Sequence, residues 1–170
     1  MQVGGGMTMG RLRAAMAAMA LSVALFPAPV TAAVPSRAVC VATWTDSVSP
    51  GASLTPGTST FSSGGQTGSI SCAGSVMGHD VTGPGTIGEE GRAQGTCTAG
   101  TGSATFHMTI PTTGGPVDLS FPVEFTIAGA VGSRPGGPMP GGFVFAPLEG
   151  DCVTTPVTRI AVVMYGVLST

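Results

Sequence analysis

The chain contains no lysine and no asparagine, and charged residues make up only 8% of it. Each shortage closes off a class of function. Without lysine, and with no two arginines adjacent, there is no basic cluster able to displace counterions from a phosphate backbone, so nucleic acid is not an expected partner. Without asparagine there is no Asn-x-Ser/Thr acceptor for glycosylation. The only histidines are His79 and His107, at no ligand spacing, and no cysteines form a C-x-x-C pair. No metal or other cofactor is therefore expected. No serine stands in a G-x-S-x-G turn either. Soluble domains carry roughly a quarter charged residues, so the deficit leaves Ser, Thr and Gly to cover the surface. The missing lysine and asparagine, beside abundant Ala, Gly, Pro and Thr, also fit the codon usage of a GC-rich genome, which has no bearing on mechanism.

What is present begins with an export pattern. Arg11 and Arg13 precede an apolar run over residues 14–26, followed by Pro27-Ala28-Pro29-Val30-Thr31-Ala32-Ala33. A positive start, an apolar core and small residues before a cut make a secretion signal, with cleavage near Ala32 or Ala33. The run is shorter than the roughly 20 residues that span a bilayer, and Pro27 and Pro29 end it. No integral membrane segment is expected in the mature chain. Arg37-Ala38-Val39 before Cys40 is not a lipidation sequence, and Arg11-Leu12-Arg13 lacks twin arginines. The expected organisation is a signal peptide over residues 1–33 and one secreted domain over 34–170, extracellular or associated with the cell envelope. That domain keeps four arginines against all eight acids, a net negative charge.

Cys40, Cys72, Cys97 and Cys152 all lie in the mature part, and an even number in an exported chain reads as two disulfides. Four cysteines allow three pairings. The nested one, Cys72–Cys97 with Cys40–Cys152, is the working expectation, because it closes a local unit and joins the chain ends.

Alternation fixes the fold class. Over residues 117–128, Val117, Leu119, Phe121, Val123, Phe125 and Ile127 alternate with Asp118, Ser120, Pro122, Glu124 and Thr126, a strand with one buried face. Pro122 has no N–H to donate and suggests an edge or a bulge. Residues 103–110 repeat the pattern, and the two predict a hairpin around residues 111–116. Further strands are predicted over 39–45, 59–62, 69–75, 95–98, 142–146 and 158–168. The last is apolar on both faces and should be central or close a barrel. With no helical periodicity, the chain predicts an all-β, single-domain antiparallel β-sandwich or small β-barrel with two disulfides. Residues 129–142, rich in Gly and Pro, predict a mobile loop, either a lid over a barrel mouth or a surface insertion.

Few residues suggest chemistry. His79-Asp80 lies in a Gly-flanked stretch, where an acid beside an imidazole could orient a base, although adjacent strand residues face opposite ways. His107 falls on the polar face of its strand, either an exposed sheet histidine or one inside an open barrel. Glu89 and Glu90, between Gly88 and Gly91, read as solvated loop carboxylates, the alternative being a pair that divides acid and base roles. Trp44, the only tryptophan, alternates with Cys40 and Ala42 and reads as core beside a disulfide rather than as a ligand platform.

Cys72-Ala73-Gly74, Gly83-Pro84-Gly85-Thr86, Glu90-Gly91-Arg92, Gly95-Thr96-Cys97, Thr109-Ile110-Pro111-Thr112, Phe143-Val144-Phe145, Pro147 through Val153 and Pro156-Val157-Thr158-Arg159, with Ser49-Pro50-Gly51 and Leu54-Thr55 upstream, carry a resemblance. With these motifs the chain resembles small secreted proteins of actinobacteria, four-cysteine all-β exported domains with no assigned activity. The resemblance implies the same secreted β-fold and the same disulfides, and no activity. Residues 129–142 are shorter and plainer than the polar hairpin it implies there. The expected function is a non-catalytic binding or structural module for an envelope or extracellular partner. The alternative is a small barrel enzyme or ligand carrier using His107 or His79 with one of Asp80, Asp118, Glu124, Glu149 or Asp151. A protease inhibitor is a third class, set back because Thr98-Ala99-Gly100-Thr101-Gly102 after Cys97 is too glycine-rich for a rigid reactive loop.

Overall fold

Inward and outward residues alternate along almost every strand, and a sheet with one apolar face must bury that face on something. Here it buries the face on itself. The computed structural model describes residues 36–170; the expected secretion signal and its cleavage site lie outside the described residues. Ten strands follow in order: β1 (Arg37–Ala52), β2 (Gly57–Ser62), β3 (Gly68–Val76), β4 (His79–Asp80), β5 (Gly85–Gly95), β6 (Ala99–Thr112), β7 (Gly115–Ala128), β8 (Val131–Arg134), β9 (Gly141–Glu149) and β10 (Val157–Ser169). All pairings are antiparallel. The sheet runs from β10 through β9, β8, β7, β6 and β5 to β2, β1 and β3, and β10 returns to pair with β1. The fold is the barrel alternative of the expected all-β class. Among the described residues no helix is long and apolar enough to cross a membrane.

β2 and β3 together fill one place in the ring. β2 pairs with β1 at Ser47–Ser49 and β3 pairs with β1 from Ala38 to Thr43, so the chain leaves the sheet between them and re-enters it. β10, predicted to be central or to close a barrel because both its faces are apolar, lies between β1 and β9. Its outward Val163, Tyr165 and Val167 stay exposed beside Val39 and Val41 of β1, so this part of the surface is apolar rather than hydroxyl-rich. Pro122 sits where an edge was predicted. β8 pairs with β7 only at Thr126–Ala128, leaving the side of Pro122 away from β6 without a ladder partner.

Three expectations need correction. The pairing of cysteines is Cys40–Cys72 and Cys97–Cys152, not the nested one. Cys40 and Cys72 are directly opposed on β1 and β3 with Cα atoms 4.1 Å apart, a cross-strand position that only the register reveals. Residues 95–98 are not a strand: Gly95 ends β5, and Thr96 turns the chain, its Oγ1 accepting from the Thr98 and Ala99 N–H groups. The segment 129–142 is not one loop. It holds β8 and then a strap whose Pro138 and Pro140 carbonyls accept from Ser169 and Val167, with Met139 fully buried. Two disulfides are compatible with an oxidising extracellular environment.

The two ends of the barrel differ. At the end where β1 begins, the β3–β4 hairpin folds over, the Met77 and Gly78 N–H groups donate to Thr170 and Ser36, and Val76, Ile110, Met139 and Leu168 fill the interior. At the other end the connections after β1, β5, β7 and β9 surround an opening, with Cys97–Cys152 joining two of them.

Candidate functional site

Inside the open end lies a cavity of about 540 Å³. Its walls are mainly aromatic and aliphatic, with Phe61, Phe125, Phe143 and Phe145 contributed by β2, β7 and β9. Phe125 meets Phe61 and Phe143 edge to face, at 5.8 and 5.7 Å between ring centres. Inward positions occupied by large rings that lean on one another leave space along the axis that smaller packed aliphatics would have filled.

Besides hydroxyl and amide side chains such as Ser59, Gln94 and Thr98, the lining contains a cluster of four residues, Trp44, Asp46, Glu89 and Arg134. On β1 the inward series Ala38, Cys40, Ala42, Trp44 ends in Asp46, which is 1% exposed. On β5 the inward position opposite Phe106 is Glu89. The Trp44 indole N–H lies between the two acids, 3.0 Å from Asp46 Oδ2 and 2.9 Å from Glu89 Oε1. Arg134, the last residue of β8, is 2% exposed and lies over the Phe106 ring at 5.4 Å. Trp44 in turn meets Phe106 edge-on at 5.7 Å.

Local chain geometry holds Glu89 in place. The excursion between β2 and β3 packs against β5, where the Ser63 N–H donates to the Glu89 carbonyl at 3.0 Å and the Glu89 N–H donates to Ser63 Oγ at 2.9 Å. Gly88 permits this approach, since a Cβ there would run into the Gly65 carbonyl.

The electrostatics follow from burial. Asp46 and Glu89 approach one indole N–H from two sides, which brings two carboxyl groups close together in an apolar setting. Burial raises both above the ordinary carboxylate range, Glu89 the more strongly because the Asp46 charge adds to it. Burial lowers the Arg134 guanidinium, and the Glu89 carboxyl pulls it partly back. Arg134 Nε, Nη1 and Nη2 and Asp46 Oδ1 have no hydrogen-bond partner among the described residues.

The expected site residues fall elsewhere. His107 lies on β6 opposite Gly88 and Ser120, on the outer face. His79 and Asp80 are exposed on β4, the imidazole against Gly114 at the closed end. Neither histidine lines the cavity, nor do Asp80, Asp118, Glu124, Glu149 or Asp151. Glu89 and Glu90 are not loop residues: they are neighbours on β5, so one faces the cavity and the other solvent. Trp44 is core, as read, and is also cavity wall. Of Thr98–Gly102, weighed as a protease-facing loop, Ala99 pairs with β7, and Gly100, Thr101 and Gly102 pair with both β5 and β7. Asp46 and Arg134 were missed. For Asp46 the signal was available, an acid continuing the inward series of β1; for Arg134 it was hidden in a segment without periodicity.

Among the described residues no group of three or more His, Cys, Asp and Glu side chains is placed to hold a metal ion. Set against protein-family models, curated proteins and solved structures, the chain matches none.

Proposed function

We propose that this chain is an exported, non-catalytic binding module of the cell envelope or extracellular space, holding an apolar small molecule inside the barrel. One observation carries the reading: a cavity of about 540 Å³, walled by phenylalanines, with buried polar groups converging at one place. Pockets that bury small ligands have this size and composition, with a few polar groups fixing orientation. Export rests on the Arg11 and Arg13 start, the apolar run behind it and the two disulfides. The resemblance to small secreted actinobacterial proteins agrees with it.

Trp44 makes the test direct, because the only indole in the chain lines the cavity. Titration of the oxidised protein with the uncharged probe N-phenyl-1-naphthylamine should change Trp44 emission saturably at one probe per chain. Ala93→Phe, which places a ring in the cavity wall, should abolish the change while the far-ultraviolet spectrum stays that of a β-barrel. A probe response that is not saturable, or that survives Ala93→Phe, would remove the proposal.

The Asp46–Glu89 pair supports a second reading, proton transfer to a bound substrate, since carboxyls whose proton affinities are moved by burial are suited to acid–base work. Conversion of a bound ligand that stops in Glu89→Gln while binding persists would favour the enzyme over the carrier.

A further inference from the structure

The unmet groups in the cavity are of two opposite kinds, and together they describe the end of a ligand. Arg134 offers N–H donors from Nε, Nη1 and Nη2, and Asp46 Oδ1 offers an acceptor. The Trp44 N–H is already engaged, reaching Asp46 Oδ2 and Glu89 Oε1. Buried polar groups without partners are rare in folded proteins and mark places that something else completes.

Charge decides what that something is. Arg134 brings a guanidinium to the cluster, and Asp46 and Glu89 bring two carboxyl groups to the same indole N–H. A carboxylate placed on Arg134 would stand beside the Asp46 and Glu89 carboxyls, among Trp44, Phe106 and the phenylalanine walls, where a further acid is poorly accommodated. An ammonium would face Arg134. A bare hydrocarbon would leave both kinds of group unmet. A hydroxyl is the smallest uncharged group that accepts and donates at once, and walls of rings meeting edge to face suit an aromatic or alicyclic body behind it.

Building on the binding reading above, we propose that the ligand is an uncharged cyclic alcohol or phenol whose oxygen accepts from Arg134 and whose O–H donates to Asp46 Oδ1. Arg134 and Asp46 thus set specificity for the head group, and the phenylalanines hold the body.

Three probes with one skeleton test this by calorimetry on the oxidised protein at pH 7: biphenyl, 4-phenylphenol and 4-phenylbenzoate. The phenol should bind about tenfold tighter than either of the others, the discrimination expected when hydrogen bonds to charged groups are completed rather than left open. Arg134→Met should erase the preference, so that the phenol and biphenyl bind within about threefold of each other. The wild-type ranking stands without the variant, so a misfolded Arg134→Met does not spare the idea. Equal affinity for biphenyl and the phenol, or tightest binding of the benzoate, would overturn the head-group assignment and leave the cavity a general apolar binder. Failure of all three probes to bind would overturn the binding reading itself.

Discussion

The closed half of the barrel and the open half are built from the same strands with the same alternation, yet one is solid and the other hollow. In the closed half Ala38, Ile70, Val76, Met108, Ile110, Met139 and Leu168 are all buried and none lines the cavity. Two elements outside the regular ladder help fill it: the β3–β4 hairpin brings Val76, and the strap after β8 brings Met139. In the open half Phe61, Phe143, Phe145 and Ile160 are only partly buried, because they pack on the core from one side and face empty space on the other. Inward periodicity settles which residues point to the axis. Whether the axis is filled depends on side-chain size and on segments that plug an end.

The largest expected effect separates the halves directly. Ile110→Ala opens a hole in close packing and should cost about 2–5 kcal/mol, the transfer of the lost carbons plus the cavity they leave. Ile160→Ala removes carbons that already border empty space, so less than about 2 kcal/mol should be lost. Denaturant unfolding of the two variants measures both. Equal losses would mean that the open half is packed as tightly as the closed one.

Arg134 should behave in the opposite sense. A guanidinium buried with no hydrogen bond among the described residues is a cost to stability, offset in part by its place over Phe106, a contact worth about 0.5–2 kcal/mol. Arg134→Met keeps an apolar side chain of similar length in that place and should raise the unfolding free energy by about 1–2 kcal/mol. A fall of that size instead would make Arg134 a structural residue. Sites held ready for a ligand commonly carry such a loss of stability.

How much of this could be read from the sequence differs between the halves for the same reason. Strands and faces were legible wherever alternation was clean, as in β6 and β7, and the two-sided apolar character of β10 announced ring closure. The disulfide partners were not, because Cys40 meets Cys72 through a register set by the whole sheet. β5 was misread since its glycines look like loop punctuation; Gly88 serves instead to admit the Ser63–Thr67 excursion. Asp46 and Glu89 stand 43 residues apart in sequence, and only closure of the ring puts them on one indole. Histidines drew attention by their chemistry, and they face outward.

The smallest effect contrasts an acid of the cavity with one at the rim. Glu89 holds its proton more tightly in the folded chain than the ordinary value of 4.5, and Asp46 more tightly than 3.8. Between those values and the raised folded ones the native state binds more protons than the unfolded chain, so stability falls as pH rises through that window. Asp151 does the reverse. The Thr154 hydroxyl donates to its Oδ2 at 2.5 Å, and its Oδ1 accepts from the Val153, Thr154 and Thr155 N–H groups at 3.0, 2.7 and 2.9 Å, which together hold its carboxyl well below the ordinary 3.8. Its contribution is present above 3.8 and is lost as pH falls through the lowered value. Melting temperatures taken from pH 3 to 8 should therefore decline on the alkaline side of a maximum near pH 4 to 5, roughly where the two windows meet. Glu89→Gln should flatten the alkaline limb and leave the acid limb, while Asp151→Asn should act only on the acid limb. An alkaline limb that Glu89→Gln leaves unchanged would mean that the cavity carboxyls titrate as if in water, and that the open half is wet enough to have little use for an apolar ligand.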